Sequence, residues 1–349
     1  MEAKKPAGVN RASILRRIPK AELHLHIEGA IPFRMQLELA KKGGRVRTAS
    51  SLREKLRFRD FGGFIRAWFW LMSFVREEEF FEELAYEVLK DLNLQNVKYV
   101  EAFFSPGDFR VNGLSESGIA ERLIRGKERA QKDFGIRCEL IVDLVRNYGP
   151  EYGATLLGQM VPFLEKGIIG VGMGGSFEDL SSTDRYSTVF RKAKSLGFRL
   201  TAHAGEVAGA DSVWAAVRKL GVERIGHGTR AYEDPSLVRY LKERRIPLEV
   251  CVTSNMKTGV WQSYRTHPIM RYFNEGLLVT VNSDDPTFFD TNITKEYARL
   301  VGSVGFEISD LEELSFNGIE ASFMPEDSKE LLRKSFERDW ERLGNSWSK

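Results

Sequence analysis

Short apolar runs alternate along the chain with longer segments in which apolar residues recur every three or four positions. Eight runs have the length and apolar character of buried strands, and the segments between them, several of which end in glycine, are typical of amphipathic helices. The runs cover residues 21–28, 96–104, 136–145, 168–175, 198–206, 224–229, 246–254 and 277–285. Eight strands that alternate with helices predict an α/β fold, a closed (β/α)8 TIM barrel. An open doubly wound sheet is the alternative, but no glycine-rich nucleotide fingerprint follows the first run.

Polar side chains suited to chemistry stand near the ends of four of these runs. They are His24, His26, His203, His227 and Asp284, at the ends of predicted strands one, five, six and eight. In a barrel, the loops that follow the strands form one face, so residues far apart in sequence meet there. The sequence therefore predicts that these five side chains are neighbours at the barrel mouth.

The chain is predicted to form one large domain with two additions. Residues 1–17 are basic and form an N-terminal arm or first helix, and residues 18–349 form the single barrel domain. Residues 56–76, within the long insertion between strands one and two, are aromatic at helical spacing. Core packing is one explanation for the aromatic stripe, which consists of Phe61, Phe64, Ile65, Trp68, Phe69 and Met72. As a lid-like helical insertion, the segment would also cap the barrel mouth and keep water from a ligand.

Composition narrows the functional classes. The 349 residues include 52 basic and 49 acidic side chains, which gives a formal net charge of +3; so small a charge, spread along the chain, predicts no nucleic-acid partner. No apolar stretch approaches the roughly 20 residues of a membrane span, and the first residues lack the apolar segment of a secretory signal. We therefore expect no membrane partner and a cytoplasmic location. The two cysteines, Cys138 and Cys251, lie in apolar runs and are expected to be buried free thiols.

Three histidines and one aspartate have the arrangement of a metal site. Alternate residues of a strand share a face, so His24 and His26 point together into the barrel. A buried, hydrogen-bonded histidine pair would explain this spacing alone, but His203 and Asp284 add a third nitrogen and a carboxylate from other strand ends. Such a set suits one zinc ion (Zn2+), with iron(II) as the alternative, and leaves a position at which the pKa of a water falls to about 7.

Three further polar residues flank this set. Glu206 follows His203 by three residues and could exchange protons with a substrate, although a carboxylate that offsets a helix dipole would look the same. His227 is interpreted as a group that orients the attacking hydroxide and stabilises charge, with a hydrogen-bonded core histidine as the alternative. Asp285 diverges from Asp284, so it either meets a substrate donor or only caps a helix.

The motifs HLHIEG, TAHAGE, GHGT and NSDDP, in this order and spacing, resemble those of the adenosine deaminase family of metal-dependent aminohydrolases. The likeness runs from about residue 18 to residue 300. It implies a β/α barrel that holds one zinc ion and hydrolyses the 6-amino group of a purine to an oxo group, releasing ammonia. By the same resemblance, the metal ligands are His24, His26, His203 and Asp284.

The resemblance also implies roles around the ion. Glu206 matches the acid that protonates the purine ring nitrogen N1, and His227 matches the group beside the hydroxide; with Asp284 they form the implied catalytic set. Asp285 matches the carboxylate that faces N7, and Gly175 the backbone that meets N3. The chemistry is consistent, because attack at C6 breaks ring conjugation and the ring must gain a proton as the nucleophile adds.

Two departures from the family pattern bear on the substrate. Glu28 stands where adenosine-specific members usually have aspartate, at the position that meets the ribose 5'-hydroxyl, and the resemblance includes His26 among the substrate-binding residues. The VGMGGSFED segment replaces a more usual LAGDE-like stretch. The resemblance implies a small aminopurine as substrate, an adenosine-type nucleoside, with adenine and the 6-aminodeoxyfutalosine of menaquinone biosynthesis as alternatives. The carboxylated tail of the last needs a cation, and the candidates, each of which could equally be a surface charge, are Arg57, Arg59, Arg66, Arg110 and Arg146.

Two other functional classes compete with this one. A phosphotriesterase-like hydrolase would bridge two metal ions with a lysine at the end of strand four, where this chain has glycines. A non-catalytic relative would be expected to lack a ligand or Glu206, and all of these residues are present. The sequence leaves open the exact aminopurine, the metal bound in cells and the oligomeric state.

Overall fold

Eight parallel strands form a closed barrel in this computed structural model, which describes residues 11–347. The strands pair in sequence order, and the last meets the first where Leu25 bridges Asp284, whose carbonyl oxygen accepts the His26 N–H at 2.9 Å. They are β1 Lys20–His26, β2 Val97–Phe104, β3 Arg137–Asp143, β4 Ile168–Gly172, β5 Arg199–Ala204, β6 Arg224–His227, β7 Leu248–Val250 and β8 Val279–Val281. The predicted (β/α)8 TIM barrel is confirmed, and the open doubly wound sheet is wrong.

The apolar runs extend beyond the strands, and they do so furthest at β7 and β8. The run at 246–254 extends past β7 into a helix that begins at Val252, and the run at 277–285 extends past β8 into the mouth loop. The end of the last run leaves the sheet because Asp284 has a φ of 63°, in the left-handed region that cannot continue a strand. Strands buried on both faces have no polar alternation to mark where they stop, so their ends are hard to predict.

Helices surround the barrel and join its strands. Helix α1, Arg11–Arg17, precedes β1. The connection from β1 to β2 contains α2 Phe33–Lys42, α3 Ala49–Lys55, α4 Phe61–Met72 and α5 Glu79–Leu94. The next five connections contain α6 Glu116–Phe134, α7 Gly149–Met160, α8 Leu180–Ser195, α9 Ala210–Ala215 and α10 Pro235–Glu243. The remaining helices are α11 Val252–Lys257 and α12 Ile269–Asn274, before β8, and α13 Pro286–Phe289, α14 Ile293–Arg299, α15 Asp310–Ala321 and α16 Glu326–Trp347, after it.

The N-terminal segment is described only in part. Residues 1–10 of the predicted arm lie outside the described residues, and α1 covers the rest of it. The division into an arm at 1–17 and a barrel domain at 18–349 stays a prediction. Within residues 11–347, no helix combines the length and the apolar character that crossing a membrane requires.

Helix α4 caps the barrel mouth, and we call it the lid helix. It begins after Asp60, whose carboxylate accepts the Gly63 N–H at 2.6 Å. Phe64 and Trp68 are buried and pack against Phe288 with ring centroids 5.8 and 5.7 Å apart. The predicted helical insertion is thus confirmed. Its aromatic stripe belongs to the core and also lines the cavity, and its function as a lid that keeps water from a ligand stays a prediction.

A buried ion-pair network closes the floor of the barrel. Arg224, only 1% exposed, donates to Glu249 Oε1 at 2.6 Å and to Glu101 Oε2, and its guanidinium stacks 3.6 Å above the Phe323 ring. A buried charge is tolerated when it is paired and hydrogen-bonded in this way. The network therefore fixes the Glu249 carboxylate, whose other oxygen faces the mouth.

Candidate active site

A cavity opens at the carboxyl ends of the strands, beneath the lid helix. The space in this cavity, part of which is open to solvent, is about 590 Å³. Strands β1, β5, β6 and β8 and their loops contribute His26, His203, Glu206, His227, Asp284 and Asp285. The sector of β2 to β4 contributes Ser105, Asp108, Asp143, Val145, Asn147, Gly174, Gly175 and Ser176, and the lid helix contributes Phe61, Phe64, Ile65, Trp68 and Phe69.

Four imidazoles and one carboxylate meet at the inner end of this cavity. The ring centroid of His24 lies 5.4, 4.6 and 4.9 Å from those of His26, His203 and His227. Asp284 Oδ1 lies 3.5 Å from Nε2 of both His24 and His26. The structure thus brings together the five side chains that the sequence predicts to be neighbours, and their role as ligands stays a prediction.

The donor atoms of this cluster fit a small cation. Nε2 of His24 and Nε2 of His203 are buried without a hydrogen-bond partner among the described residues, and burial lowers the pKa of His203 to about 3, which keeps its ring neutral. In a tetrahedral zinc site with bonds of about 2.0–2.1 Å, neighbouring ligand atoms lie about 3.3 Å apart. The two N···O distances of 3.5 Å are close to that spacing. Because unpaired buried nitrogens are unfavourable, an ion that accepts their lone pairs would stabilise the cluster.

Cys251 also lies in this group, with its sulfur within 4.8 Å of donor atoms of His24, His227 and Asp284. Burial raises the pKa of the Cys251 thiol well above its usual range, so the sulfur stays protonated. A thiol is a poor ligand, and the three histidines with Asp284 remain the better set. Both Cys138 and Cys251 are buried and free, as expected.

Glu249 in β7 orients one of the four imidazoles. Its Oε2 lies 2.6 Å from His24 Nδ1, and both side chains are fully buried. With Nδ1 bonded to Glu249, Nε2 is the His24 nitrogen that faces Asp284. The two carboxylates outweigh burial and raise the pKa of His24 to about 10, as expected for a partner that makes a ligand imidazole more basic. Glu249 is the one charged residue in the apolar run 246–254, a signal that could have marked it as functional.

Two residues of the cluster have strained backbones. His227 and Asp284 have φ angles of 62° and 63°, which non-glycine residues rarely adopt. Beside them, a Cβ on Gly226 would lie 2.8 Å from Cε1 of His24, so the residue before His227 has no room for a side chain. Strain of this kind persists where the surrounding structure imposes it, and it clusters at functional sites.

Glu206 lies beside the cluster as a protonated acid. Its Oε2 is 3.5 Å from His227 Nε2 and 3.9 Å from His203 Nδ1. Burial raises the pKa of Glu206 to about 7, so the carboxyl retains its proton up to neutral pH. This placement lets Glu206 exchange protons with a ligand in the cavity, and that role stays a prediction.

The tautomer of His227 follows from a second buried neighbour. Burial lowers the pKa of His227 to about 4, so the ring is neutral. The Asn255 amide nitrogen lies 3.3 Å from His227 Nδ1, while the Asn255 oxygen accepts the Thr229 hydroxyl at 3.0 Å. The amide therefore donates to Nδ1, and the His227 proton resides on Nε2, which faces Glu206 and Asp284. In this tautomer Nε2 can donate a hydrogen bond, and the role of His227 beside the hydroxide stays a prediction.

Of the residues expected to contact substrate, Gly175 and Asp285 lie on the cavity wall and Glu28 does not. Gly175 lines the cavity with a φ of 136°, and Asp285 lines it with an Oδ1 that has no partner among the described residues. Burial beside Asp284 raises the pKa of Asp285 well above its usual range. Glu28 does not lie on the cavity wall: it is fully buried behind Ser105, whose N–H it accepts at 2.9 Å.

Two cavity carboxylates could not be assigned a role from the sequence. Asp143 ends β3 and lines the cavity, and burial raises its pKa to about 7. Asp108 accepts the Trp68 indole N–H at 3.0 Å and the Tyr148 hydroxyl at 2.8 Å, and burial raises its pKa to about 6. Asp143 follows the rule that identified the histidines, a polar side chain at a strand end. Asp108 lies beyond its strand and offers no such signal.

The arginines suggested for a carboxylated tail do not form a cationic wall. Four of them, Arg57, Arg59, Arg66 and Arg110, are exposed. Arg146 is buried and donates to the His203 carbonyl oxygen at 2.6 Å, so it supports the backbone of the cluster. The cavity lining, among the described residues, contains neither lysine nor arginine. The expectation of a cation at the mouth is therefore wrong for these five residues.

A (β/α)8 barrel whose mouth unites three metal-competent histidines, an aspartate and a protonated glutamate defines a metal-dependent hydrolase. The chain belongs to the adenosine deaminase family, because the family model described as Adenosine deaminase matches residues 19–338. It is thus a metal-dependent aminohydrolase that acts on carbon–nitrogen bonds other than peptide bonds.

Individual relatives agree with this assignment. The chain is 33% identical over 320 residues to an adenine deaminase of Wolinella succinogenes, covering 90% of this chain and 96% of the relative. It is 32% identical over 325 residues to an adenosine deaminase of Clostridium botulinum, covering 91% and 97%. Its fold is similar to the crystal structure of an amidohydrolase from Burkhoderia ambifaria with bound zinc, with a TM-score of 0.88, 26% identity, and 99% and 97% of the two chains covered.

Proposed function

We propose that this aminohydrolase uses one zinc ion to hydrolyse the 6-amino group of an adenosine-type nucleoside, giving an inosine-type product and ammonia. The observation that carries the proposal is the meeting of a proton donor and a ligand set in one cavity, with Glu206 Oε2 3.5 Å from His227 Nε2 and 3.9 Å from His203 Nδ1. Both are needed, because addition to the purine C6 requires a nucleophile on one side and a proton for the ring on the other.

His24, His26, His203 and Asp284 would hold the ion. When bound, it supplies a water of lowered pKa as nucleophile at neutral pH. The bound zinc in the similar Burkhoderia structure supports zinc over iron(II).

The protein's own residues then act at defined purine atoms. The Glu206 carboxyl gives its proton to N1 as the nucleophile adds at C6, which avoids a negative charge on the ring. His227 donates from Nε2 to the developing charge at the attacked carbon. Asp285, whose pKa is raised well above its usual range by burial beside Asp284, faces N7, and the Gly175 backbone meets N3. The attacking water gives up two protons in all: one leaves with the amino group as ammonia, and the other restores the Glu206 carboxyl.

Adenine is the second candidate substrate. It is favoured by the similarity to the adenine deaminase of Wolinella succinogenes and by the placement of Glu28 behind the cavity wall, away from a sugar hydroxyl. The 6-aminodeoxyfutalosine alternative has less support, because the cavity lining offers no arginine or lysine for its carboxylate. A cytoplasmic location stays a prediction from the sequence.

A substrate panel tests the proposal. Ultraviolet change and ammonia release would be measured with adenine, adenosine, 5'-deoxy-5'-substituted adenosines and AMP on zinc-loaded enzyme. We expect the highest kcat/KM with adenosine or a 5'-substituted adenosine. Turnover of adenine alone would establish the alternative, and no ammonia from any of these compounds would overturn both.

The role of Glu206 has a direct test. Glu206→Gln should lower kcat by at least about 10²-fold, the usual contribution of a positioned acid, while zinc content and Tm stay near those of the parent. The control, Glu121→Gln on exposed α6, should leave kcat unchanged. Full turnover by the Glu206 variant would remove it from the mechanism.

A further inference from the structure

The loop that follows β5 and contains Glu206 is held by a carboxylate from a neighbouring loop. Glu178, between β4 and α8, accepts the backbone N–H groups of residues 205–208 at 2.6, 3.2, 2.8 and 3.0 Å in chain order. The Ser212 hydroxyl at the start of α9 donates to the same carboxylate. One side chain thus accepts five hydrogen bonds, and one of the donors is the backbone of Glu206 itself.

The backbone N–H groups of residues 205–208 point to one side and are arranged to bind an anion. Successive N–H groups that point to one side form an anion-binding concavity, and here the protein supplies its own carboxylate to it. Gly205 has a φ of 68°, and a Cβ at this position would lie 2.6 Å from Cγ2 of Val213. Without Glu178, these four N–H groups would lose their acceptor within the protein.

The carbonyl side of the same loop is fixed independently. The Arg230 N–H donates to the Gly205 carbonyl oxygen at 2.8 Å, and Arg230 Nη1 donates to that of Val207 at 3.1 Å. Residues 205–208 are therefore held between an arginine on one side and Glu178 on the other. Loss of Glu178 would free only one side of the loop, so the barrel itself should remain folded.

The segment that contains Glu178 also lines the cavity. Gly175 and Ser176 are part of the cavity wall, and the Ser176 N–H donates to the Asn147 side-chain oxygen at 2.9 Å. A short stretch of chain thus connects the expected contact with purine N3 to the backbone of the acid. Glu178 reaches the reaction only through this backbone, because it is not itself part of the cavity lining.

We propose that Glu178 is a positioning residue for deamination: by clamping residues 205–208, it fixes the distance between the Glu206 carboxyl and the ring nitrogen that this acid protonates. The inference rests on the proposed role of Glu206. A shift of about 1 Å in a reacting group can cost about 10²-fold in rate, and residues 205–208 would relax by such amounts once their acceptor is weakened.

Glu178→Gln tests this inference, since it replaces one acceptor oxygen by an NH2 group that faces N–H donors. On zinc-loaded enzyme with the best nucleoside of the panel, we expect kcat to fall by about 10- to 100-fold and KM to change by less than about threefold. Zinc stoichiometry should be unchanged, and amide exchange at 205–208 should accelerate. Glu178→Asp, which keeps the charge on a shorter arm, should recover part of the lost kcat.

The matched control is Asp184→Asn, which removes the same charge from a surface ion pair with Lys219 at 3.4 Å. It should leave kcat and the exchange of residues 205–208 unchanged.

The possible results separate the two proposals. Unchanged amide exchange at 205–208 in Glu178→Gln would overturn the clamp, whatever the substrate. Faster exchange with an unchanged kcat would overturn the positioning role, as would a loss of kcat that is fully reversed by added zinc. If the unsubstituted enzyme deaminates no compound of the panel, the proposed function fails, and the exchange measurement still decides whether Glu178 holds the loop.

Discussion

At the scale of single residues, the site depends on side chains whose proton or charge is fixed by one neighbour. Glu249 fixes the Nδ1 proton of His24, and Asn255 fixes the Nε2 proton of His227. Glu249 and His24 are 225 positions apart in sequence, and Asn255 and His227 are 28 positions apart. No local pattern reports such a pairing, so the histidines could be predicted from the sequence but not the tautomers in which they act.

Replacement of Glu249 by glutamine should weaken metal binding. The variant keeps the shape of the side chain but removes the charge that makes His24 more basic, and loss of such a partner costs about 10–100-fold in metal affinity. Zinc affinity would be measured by competition with a chromophoric chelator.

The control is Glu101→Gln, because Glu101 shares the Arg224 guanidinium with Glu249. Both variants should lower Tm, since each leaves a buried arginine with one anion fewer. Only Glu249→Gln should lower zinc affinity. Equal affinities in the two variants would show that the His24 contact has no influence on the ion.

At the scale of elements, the sequence predicts the regular strands and helices but not the residues whose positions depend on the paths of loops. The apolar runs identify all eight strands because a parallel barrel buries both faces of each, and the aromatic spacing identifies the lid helix. The clustered histidines and Asp284 follow from their strand ends. Glu178 and Asp108 could not be identified, because the loops that place them take their paths from tertiary contacts. Glu28 is the opposite case: its position in a motif predicts a substrate contact, but the motif does not indicate that the turn buries its carboxylate.

Trp68→Phe should loosen the lid helix. The variant keeps an aromatic ring but removes the indole N–H that Asp108 accepts at 3.0 Å, and an unsatisfied buried acceptor costs about 1–3 kcal/mol. We expect KM to rise several-fold and Tm to fall, with a smaller effect on kcat. Trp70→Phe is the control, because Trp70 packs against Phe74, 5.0 Å away, and does not line the cavity. A similar KM in both variants would contradict a lid role for Trp68.

At the scale of the whole molecule, a nearly neutral chain surrounds an acidic cavity. The formal net charge is +3, yet the described cavity lining includes Asp108 and Asp143, which ionise by pH 8, and neither lysine nor arginine. Two like charges about 4 Å apart repel by about 4 kcal/mol at an effective dielectric constant near 20. If the proposed function holds, we expect the cavity to favour a neutral aminopurine over a phosphorylated one.

AMP should be a poor substrate, with a kcat/KM at least about 10²-fold below that of adenosine. Burial raises the pKa of Asp108 to about 6 and that of Asp143 to about 7, so at pH 6 Asp108 is about half ionised and Asp143 largely neutral, and at pH 8 both are ionised. The preference for adenosine over AMP should accordingly increase from about pH 6 to pH 8. The ratio of the two kcat/KM values at each pH is the measurement, since effects on the common chemistry cancel in it. A ratio that falls with rising pH would contradict the predicted repulsion, and Asp143→Asn should flatten the rise.

The metal should also stabilise the junction of β1 and β8, which we call the seam of the barrel. Within the described chain, β1 meets β8 through Leu25, His26 and Asp284, and the candidate ligands lie on both sides of this junction. An ion bound at 1,000 times its Kd stabilises the folded state by about 4 kcal/mol, and this free energy should act first where the ligands join two strands. Removal of the ion with a chelator is expected to lower Tm and to accelerate amide exchange at residues 24–26 and 284 more than in the β2 and β3 pair.

Added zinc should restore both the Tm and the slow exchange. Asp284→Asn should respond to neither chelator nor zinc, because it lacks the carboxylate that links the seam to the ion. Uniform exchange around the barrel would mean that the seam is held by its backbone hydrogen bonds alone.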